Sequence, residues 1–341
     1  MRAGIYNPYL DTLGGGERYI ASVAKVLVDA GYTVDLYWED SAIKERMIER
    51  FGLDLSAVNI VPDIKRGDGY DVCFWVSDGS IPTLLARKNF LHFQVPFQKV
   101  NGNTLLNKMK LFRINKIICN SNFTKKIIDK EFGVLSEVLY PPVDVAKFKP
   151  GKKENTILYI GRFSDLLQKK RQDILIKAFK KFFDSGFKDY KLILAGGSDV
   201  GVNKFVEKLS KISKGYPIKI FKSPNFNDLR KLYSSAKIFW SASGYGVDEA
   251  KEPKEVEHFG ITVVEAMAAG ALPIVFYGGG HKEIVNDGVN GFLWGTIGAL
   301  ISKTKKIVED KRLYFKLIKN AKAGSQKYSY ERFEKEFLAL L

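Results

Sequence analysis

Short runs of β-branched and aromatic residues alternate along this chain with longer stretches whose apolar residues recur at helical spacing. The short runs cover residues 3–6, 34–38, 71–76, 89–93 and 116–119 in the first half. In the second half they cover 156–160, 191–195, 218–221, 238–241, 272–276 and 291–294. They predict strands, and the stretches between them, such as 17–30, 173–183, 202–213, 226–235 and 261–269, predict amphipathic helices. Alternating strand and helix with short buried strands predicts an α/β fold of two Rossmann-like, doubly wound parallel sheets.

A Pro-, Gly- and Lys-rich stretch over residues 140–153 reads as a linker. It predicts an N-terminal domain over 1–150 and a C-terminal domain over 151–325. Residues 326–341 end in an amphipathic helix with Phe333, Phe337 and Leu340 or Leu341 on one side, expected to pack back on the first domain. Ligands of such sheets bind outside the carboxyl ends of the strands. With two sheets facing each other, a cleft between the domains is the expected site.

Composition changes this picture little. At 45% hydrophobic and 27% charged, the 341 residues are those of an ordinary globular protein, large enough for two cores. There is no apolar run long enough to span a bilayer and no signal-peptide pattern at the start, so a cytoplasmic protein is expected. Cys73 and Cys119 lie in β-like apolar segments and read as buried, inert thiols.

Charge adds more. The net charge is +16, yet residues 1–150 carry twenty Lys and Arg against seventeen Asp and Glu, so most of the excess lies in the second half. Within the first half, residues 103–130 hold Lys108, Lys110, Arg113, Lys116, Lys125, Lys126 and Lys130 against Asp129 alone, interleaved with Leu105, Leu106, Met109, Leu111 and Phe112. That composition suits either an anionic membrane surface or a solvated helix face over an ordinary core. Nucleic acid is the weaker alternative, since the aromatics form no stacking platform.

Four places carry candidate chemistry. The strand at 3–6 is followed by Gly14-Gly15-Gly16-Glu17-Arg18, where glycines before a helix leave amides open to an anion, or form only a flexible turn. The strand at 156–160 is followed by a loop holding Arg162, Lys169, Lys170 and Arg171, cations of the kind that neutralise a diphosphate. The stretch Glu257-His258-Phe259-Gly260-Ile261-Thr262-Val263-Val264-Glu265 brackets an expected helix start with two carboxylates, so a bound anion would lie between two acceptors for sugar hydroxyls. A carboxylate bond to a hydroxyl is worth roughly 1.5–3 kcal/mol. His92, closing the strand at 89–93, is read either as a satisfied structural residue or as an acid–base or sugar-contacting group at the cleft edge.

These pieces, with Tyr140-Pro141-Pro142-Val143-Asp144, Gly278-Gly279-Gly280-His281-Lys282-Glu283-Ile284-Val285 and Asp287-Gly288-Val289-Asn290-Gly291-Phe292, together resemble the retaining GT-B glycosyltransferases of family GT4. The resemblance runs in order from the first strand to about Trp294. In wording it is most similar to the mannosyltransferases of lipid-linked oligosaccharide assembly. It implies a hexosyltransferase using a nucleotide-diphosphate sugar, GDP-mannose in preference to UDP-sugars, on a glycan or lipid-linked acceptor. Arg162 and Lys170 would hold the diphosphate with amides near Gly260, Ile261 and Thr262, and the Gly15–Gly16 turn would lie against it. Glu265 would take the ribose hydroxyls, Glu257 the hydroxyls of the transferred sugar, and His92 would stand near the reacting carbon.

No cofactor and no metal are implied, and no Asp-x-Asp occurs in the sequence. A catalytically silent nucleotide-sugar or glycan-binding module is the alternative that the same motifs would serve. Two stretches depart from the family pattern. Residues 164–171 are longer than usual, so Lys169 could replace Lys170 on the phosphate. Residues 243–256 form a charged extension, either a lid over the sugar or a solvated insertion. Base selection is expected around residues 220–222.

Overall fold

The computed structural model describes residues 1–164, 168–197 and 203–341, which fall into two compact units. One is Met1–Pro142 with Tyr330–Leu341, the other Val143–Ser329. The chain crosses at Pro142, earlier than position 150, because the next residues already belong to the second unit. The Val143 amide donates to the Tyr328 carbonyl at 2.8 Å, and Phe148 packs edge-on against Phe226 and Tyr233.

The first unit holds seven parallel strands, β1 (Arg2–Tyr6), β2 (Thr33–Tyr37), β3 (Val58–Val61), β4 (Val72–Val76), β5 (Lys88–Phe93), β6 (Lys116–Cys119) and β7 (Glu137–Val138), in the order β3-β2-β1-β4-β5-β6-β7. The order reverses between β1 and β4, the signature of a doubly wound sheet. Its helices are α1 (Gly15–Asp29), α2 (Ile43–Phe51), α3 (Leu105–Leu111), α4 (Asn122–Phe132) and the terminal helix Tyr330–Leu338. That terminal helix completes this unit's core: Phe333 meets the Tyr19 ring edge-on, and Phe337 meets Phe74 in the same way, all four buried. Strands β3 and β7 went unpredicted because one reads Val-Asn-Ile-Val at the sheet edge and the other is two residues long.

The second unit holds six parallel strands, β8 (Glu154–Ile160), β9 (Lys191–Gly196), β10 (Ile218–Lys222), β11 (Ala236–Ser241), β12 (Leu272–Phe276) and β13 (Phe292–Trp294), in the order β10-β9-β8-β11-β12-β13. Here the reversal falls between β8 and β11. Its helices are α5 (Gln172–Asp184), α6 (Asn203–Ser213), α7 (Phe226–Ser235), α8 (Ile261–Ala268), α9 (His281–Ile284), α10 (Ile297–Glu309) and α11 (Lys311–Ser325). The core is aromatic-rich, with Tyr159, Phe163, Phe179, Phe182, Tyr190 and Trp240 buried around β8, β9 and β11. Both cysteines are buried in the first unit, and burial pushes each thiol up to about 12, which leaves them inert. Among the described residues no helix is long and apolar enough to cross a membrane.

Candidate active site

A parallel sheet offers its binding groups where strand order reverses, outside the carboxyl ends of the strands on either side. In the second unit those strands are β8 and β11. The β8 loop carries Arg162, Lys169 and Lys170, the β11 loop runs through residues 243–256 to Glu257, and both converge on the start of α8. Residues 165–167 of the expected phosphate loop lie outside the described residues.

Lys170 is the cation that the fold commits. Its ammonium lies 2.8 Å from a Glu257 carboxylate oxygen and 3.0 Å from the Gln168 side-chain oxygen, while the Gln168 amide donates to the Val256 carbonyl at 2.7 Å. Lys170 is 13% exposed and Glu257 18%, so the pair is screened from water, whereas Lys169 faces solvent. Burial pushes the Glu257 carboxyl up, but Lys170, helped by His281 and His258, outweighs it and holds the carboxyl at about 2. Buried Tyr159 is held well above the usual phenol range by burial first, with Glu257 adding to the rise and Arg162 opposing it. Glu257 and Arg162 thus both act on this one ring.

Helix α8 begins at Ile261 after Gly260, whose φ of +116° is left-handed, and no side chain caps it. The amides of Ile261 and Thr262 thus point beyond the helix start, an arrangement that attracts anions. Glu265 lies one turn further along α8. It is buried, and one of its oxygens accepts a 2.7 Å bond from the Tyr233 hydroxyl of α7.

The glycine loop after β12 closes the same neighbourhood. The Gly280 amide donates to the Glu257 carbonyl at 2.7 Å, and a Cβ on Gly279 would sit 2.0 Å from that carbonyl oxygen, so only glycine permits the approach. Residues 243–256 are tied to this loop and are not a loose insertion. Glu249 accepts from the Gly279 amide at 2.9 Å and pairs with Lys282 at 2.5 Å, and the Arg171 guanidinium donates to the Tyr245 carbonyl at 2.9 Å. His281 is buried, with Nδ1 3.0 Å from the Phe276 carbonyl and Nε2 unpartnered.

The first unit corrects two expectations. His92 does not stand at an edge: it is wholly buried, stacked on Tyr19 at 4.3 Å between centroids, with Nδ1 3.1 Å from the Ile118 carbonyl. Burial lowers it to about 3, so the ring is neutral near pH 7 and faces core aromatics, which removes the physical basis for acid–base work. The residue that leaves the strand at its carboxyl end is Gln94. Gly15 and Gly16 are not a flexible turn but the first residues of α1, with Gly14 as N-cap and Glu17 accepting from the Gly14 amide at 2.7 Å. Gly16 backs onto Gln94, whose side-chain amide donates to the Gly16 carbonyl at 3.3 Å; a Cβ there would meet the Gln94 oxygen at 1.9 Å.

Sequence reasoning missed Gln168, Tyr233, Glu249 and Gln94. Tyr233 resembles one more apolar position of an amphipathic helix, and Glu249 is one acid among many in a charged stretch. Only the fold shows what each touches. Among the described residues no three His, Cys, Asp or Glu side chains gather in a way that could hold a metal.

Comparison with known proteins identifies the family and the fold. The family model for glycosyl transferases group 1 matches residues 143–324, more than half the chain and nearly all of the second unit. A Dictyostelium discoideum GDP-Man:Man(3)GlcNAc(2)-PP-Dol alpha-1,2-mannosyltransferase is 30% identical over 234 residues, covering 64% of this chain and 44% of that protein. The chain thus spans about half the length of the first curated relatives it matches. An uncharacterised glycosyltransferase of Methanocaldococcus jannaschii is 25% identical over 356 residues, covering 97% of this chain and 94% of that one. The crystal structure of Anabaena HepE in complex with UDP superposes with a TM-score of 0.76 at 20% identity, covering 99% of both chains, a likeness of fold of the GT-B class. The chain belongs to the glycosyl transferases group 1 family.

Proposed function

We propose that this chain transfers a hexose, mannose from GDP-mannose, to a glycan or lipid-linked acceptor with retention of configuration. The observation that carries the reading is the Lys170–Glu257 pair at the uncapped start of α8, with buried Glu265 one turn along the same helix. Lys170, Arg162 and the Ile261 and Thr262 amides hold the donor diphosphate, and Glu265 accepts from the ribose hydroxyls. Glu257 accepts from hydroxyls of the transferred sugar. Gly15 and Gly16 offer a second set of helix-start amides to an anionic ligand.

The bond between the sugar's anomeric carbon and the diphosphate breaks, and the acceptor oxygen bonds to that carbon on the same face. The acceptor's proton passes to the departing phosphate oxygen. Leaving-group charge is met by Lys170 and Arg162, so in this reading the reaction runs without a metal or cofactor. Mannose and guanosine are favoured by the names of the relatives, three of which are GDP-Man-dependent mannosyltransferases.

The test is a transfer assay with GDP-mannose, GDP-glucose, UDP-glucose and UDP-N-acetylglucosamine on lipid-linked and free glycan acceptors, with the product anomer read by NMR. GDP-mannose as the best donor and an α-linked product support the reading. Binding without transfer or hydrolysis of any donor would identify a silent binding module instead.

A further inference from the structure

Helix α3 is built the wrong way round for a helix that covers a core. None of its residues is buried. Leu105 is 77% exposed, Leu106 61%, Met109 66%, and Phe112, directly after the last turn, 93%. At 3.6 residues per turn these four side chains span an arc of about 120°. Lys108 projects from one border of that arc and Lys110 from the other. The opposite side fastens the helix to its unit: the Asn107 side chain donates to the Gly102 carbonyl at 3.0 Å and to that of Asn101 at 3.3 Å, and Leu111 packs on the cluster of Leu91, Phe93 and Phe132. An apolar ridge is thus held outward and framed by cations.

The chain segment around the helix carries the same charge. No Asp or Glu occurs from residue 103 to 128, and Asp129 is paired with Lys125 at 2.5 Å. Arg113 follows the ridge, its Nε donating to the Leu84 carbonyl at 2.8 Å.

We infer that α3 docks on a bilayer containing anionic lipid, its Leu105, Leu106, Met109 and Phe112 side chains entering the acyl boundary while Lys108 and Lys110 meet the headgroups. A convex ridge with lysines on both borders fits a deformable anionic plane, where long basic side chains reach headgroups as apolar neighbours sink. A second copy would bring Lys108 and Lys110 against their own kind. The docking surface lies on the first unit and uses no donor-site residue, so it stands apart from the transferase reading.

Sedimentation of the whole chain with vesicles of phosphatidylcholine alone, and of phosphatidylcholine with phosphatidylglycerol, tests this. The chain is expected to pellet with the anionic vesicles only. Changing Lys108→Gln with Lys110→Gln should lower the partition on the order of tenfold. Changing Leu106→Ser, Met109→Ser and Phe112→Ser should abolish it, with melting temperature and donor affinity unchanged. A Phe112→Trp variant should shift its emission to the blue on those vesicles. Failure to pellet, equal pelleting of all variants, no shift from Phe112→Trp, or a self-association in ultracentrifugation that the serine variant removes would each overturn the inference.

Discussion

The Lys170 ammonium and the Glu257 carboxylate lie 2.8 Å apart with little access to water, so each charge depends on the other. Removing one partner of such a pair leaves a buried charge uncompensated, at a cost of roughly 3–5 kcal/mol. Lys170→Met is therefore expected to lower both the unfolding free energy and donor affinity. Glu257→Gln carries a similar stability cost, frees Lys170 and, in the proposed reading, removes an acceptor for sugar hydroxyls. It should leave affinity for GDP unchanged or improved while transfer falls by about tenfold to a hundredfold. Denaturant titration with calorimetry of GDP and GDP-mannose separates the two outcomes.

Glu265 is anchored by Tyr233, whose hydroxyl fixes one carboxylate oxygen; in the proposed reading the carboxylate also accepts from the ribose. Glu265→Gln should weaken GDP, GMP and guanosine to a similar degree, about tenfold or more, because all three carry the ribose. Tyr233→Phe should cost about 1–3 kcal/mol of stability, since a buried acceptor loses its donor. A loss confined to the sugar-bearing donor would move Glu265 off the ribose.

His92 makes a pH prediction with a definite sign. In the unfolded chain it titrates near 6.5, in the folded chain near 3. The unfolded state binds the extra proton between those values, so the contribution is intact above pH 6.5 and is lost as pH falls toward 3. Wild-type protein should therefore lose a few kcal/mol across that window, of order one tenfold change in equilibrium per pH unit. His92→Phe, which keeps the stack on Tyr19, should show a flatter pH dependence there and keep measurable transfer. Abolished transfer in a stably folded His92→Phe protein would restore a chemical role to the ring.

Strand and helix positions were legible because buried parallel strands read as compact apolar runs; β12 and β6 match their predicted limits, and so does α7. At the candidate site, what was legible was the helix start itself, which Gly260 marks. The site was not legible where the answer depends on which way a side chain turns. His92 sits on a strand whose residues 89–93 are all buried, and alternation cannot say which face a ligand uses when both are covered. Likewise α3 has the composition of either a core helix or a surface ridge, and only the bonds of Asn107 show which side is held down. The extension at residues 243–256 looked detachable because its acids are many; the one that matters, Glu249, is chosen by the Gly279 amide.

The most direct measurement is calorimetric titration of GDP-mannose into the intact chain, its Arg162→Ala variant and its Arg162→Ala, Lys170→Met double variant. If the second unit's cations hold the donor diphosphate, the wild type binds saturably, Arg162→Ala weakens binding about tenfold or more, and the double variant weakens it further while still folded. Undiminished affinity in a folded double variant would contradict the assignment of the donor site.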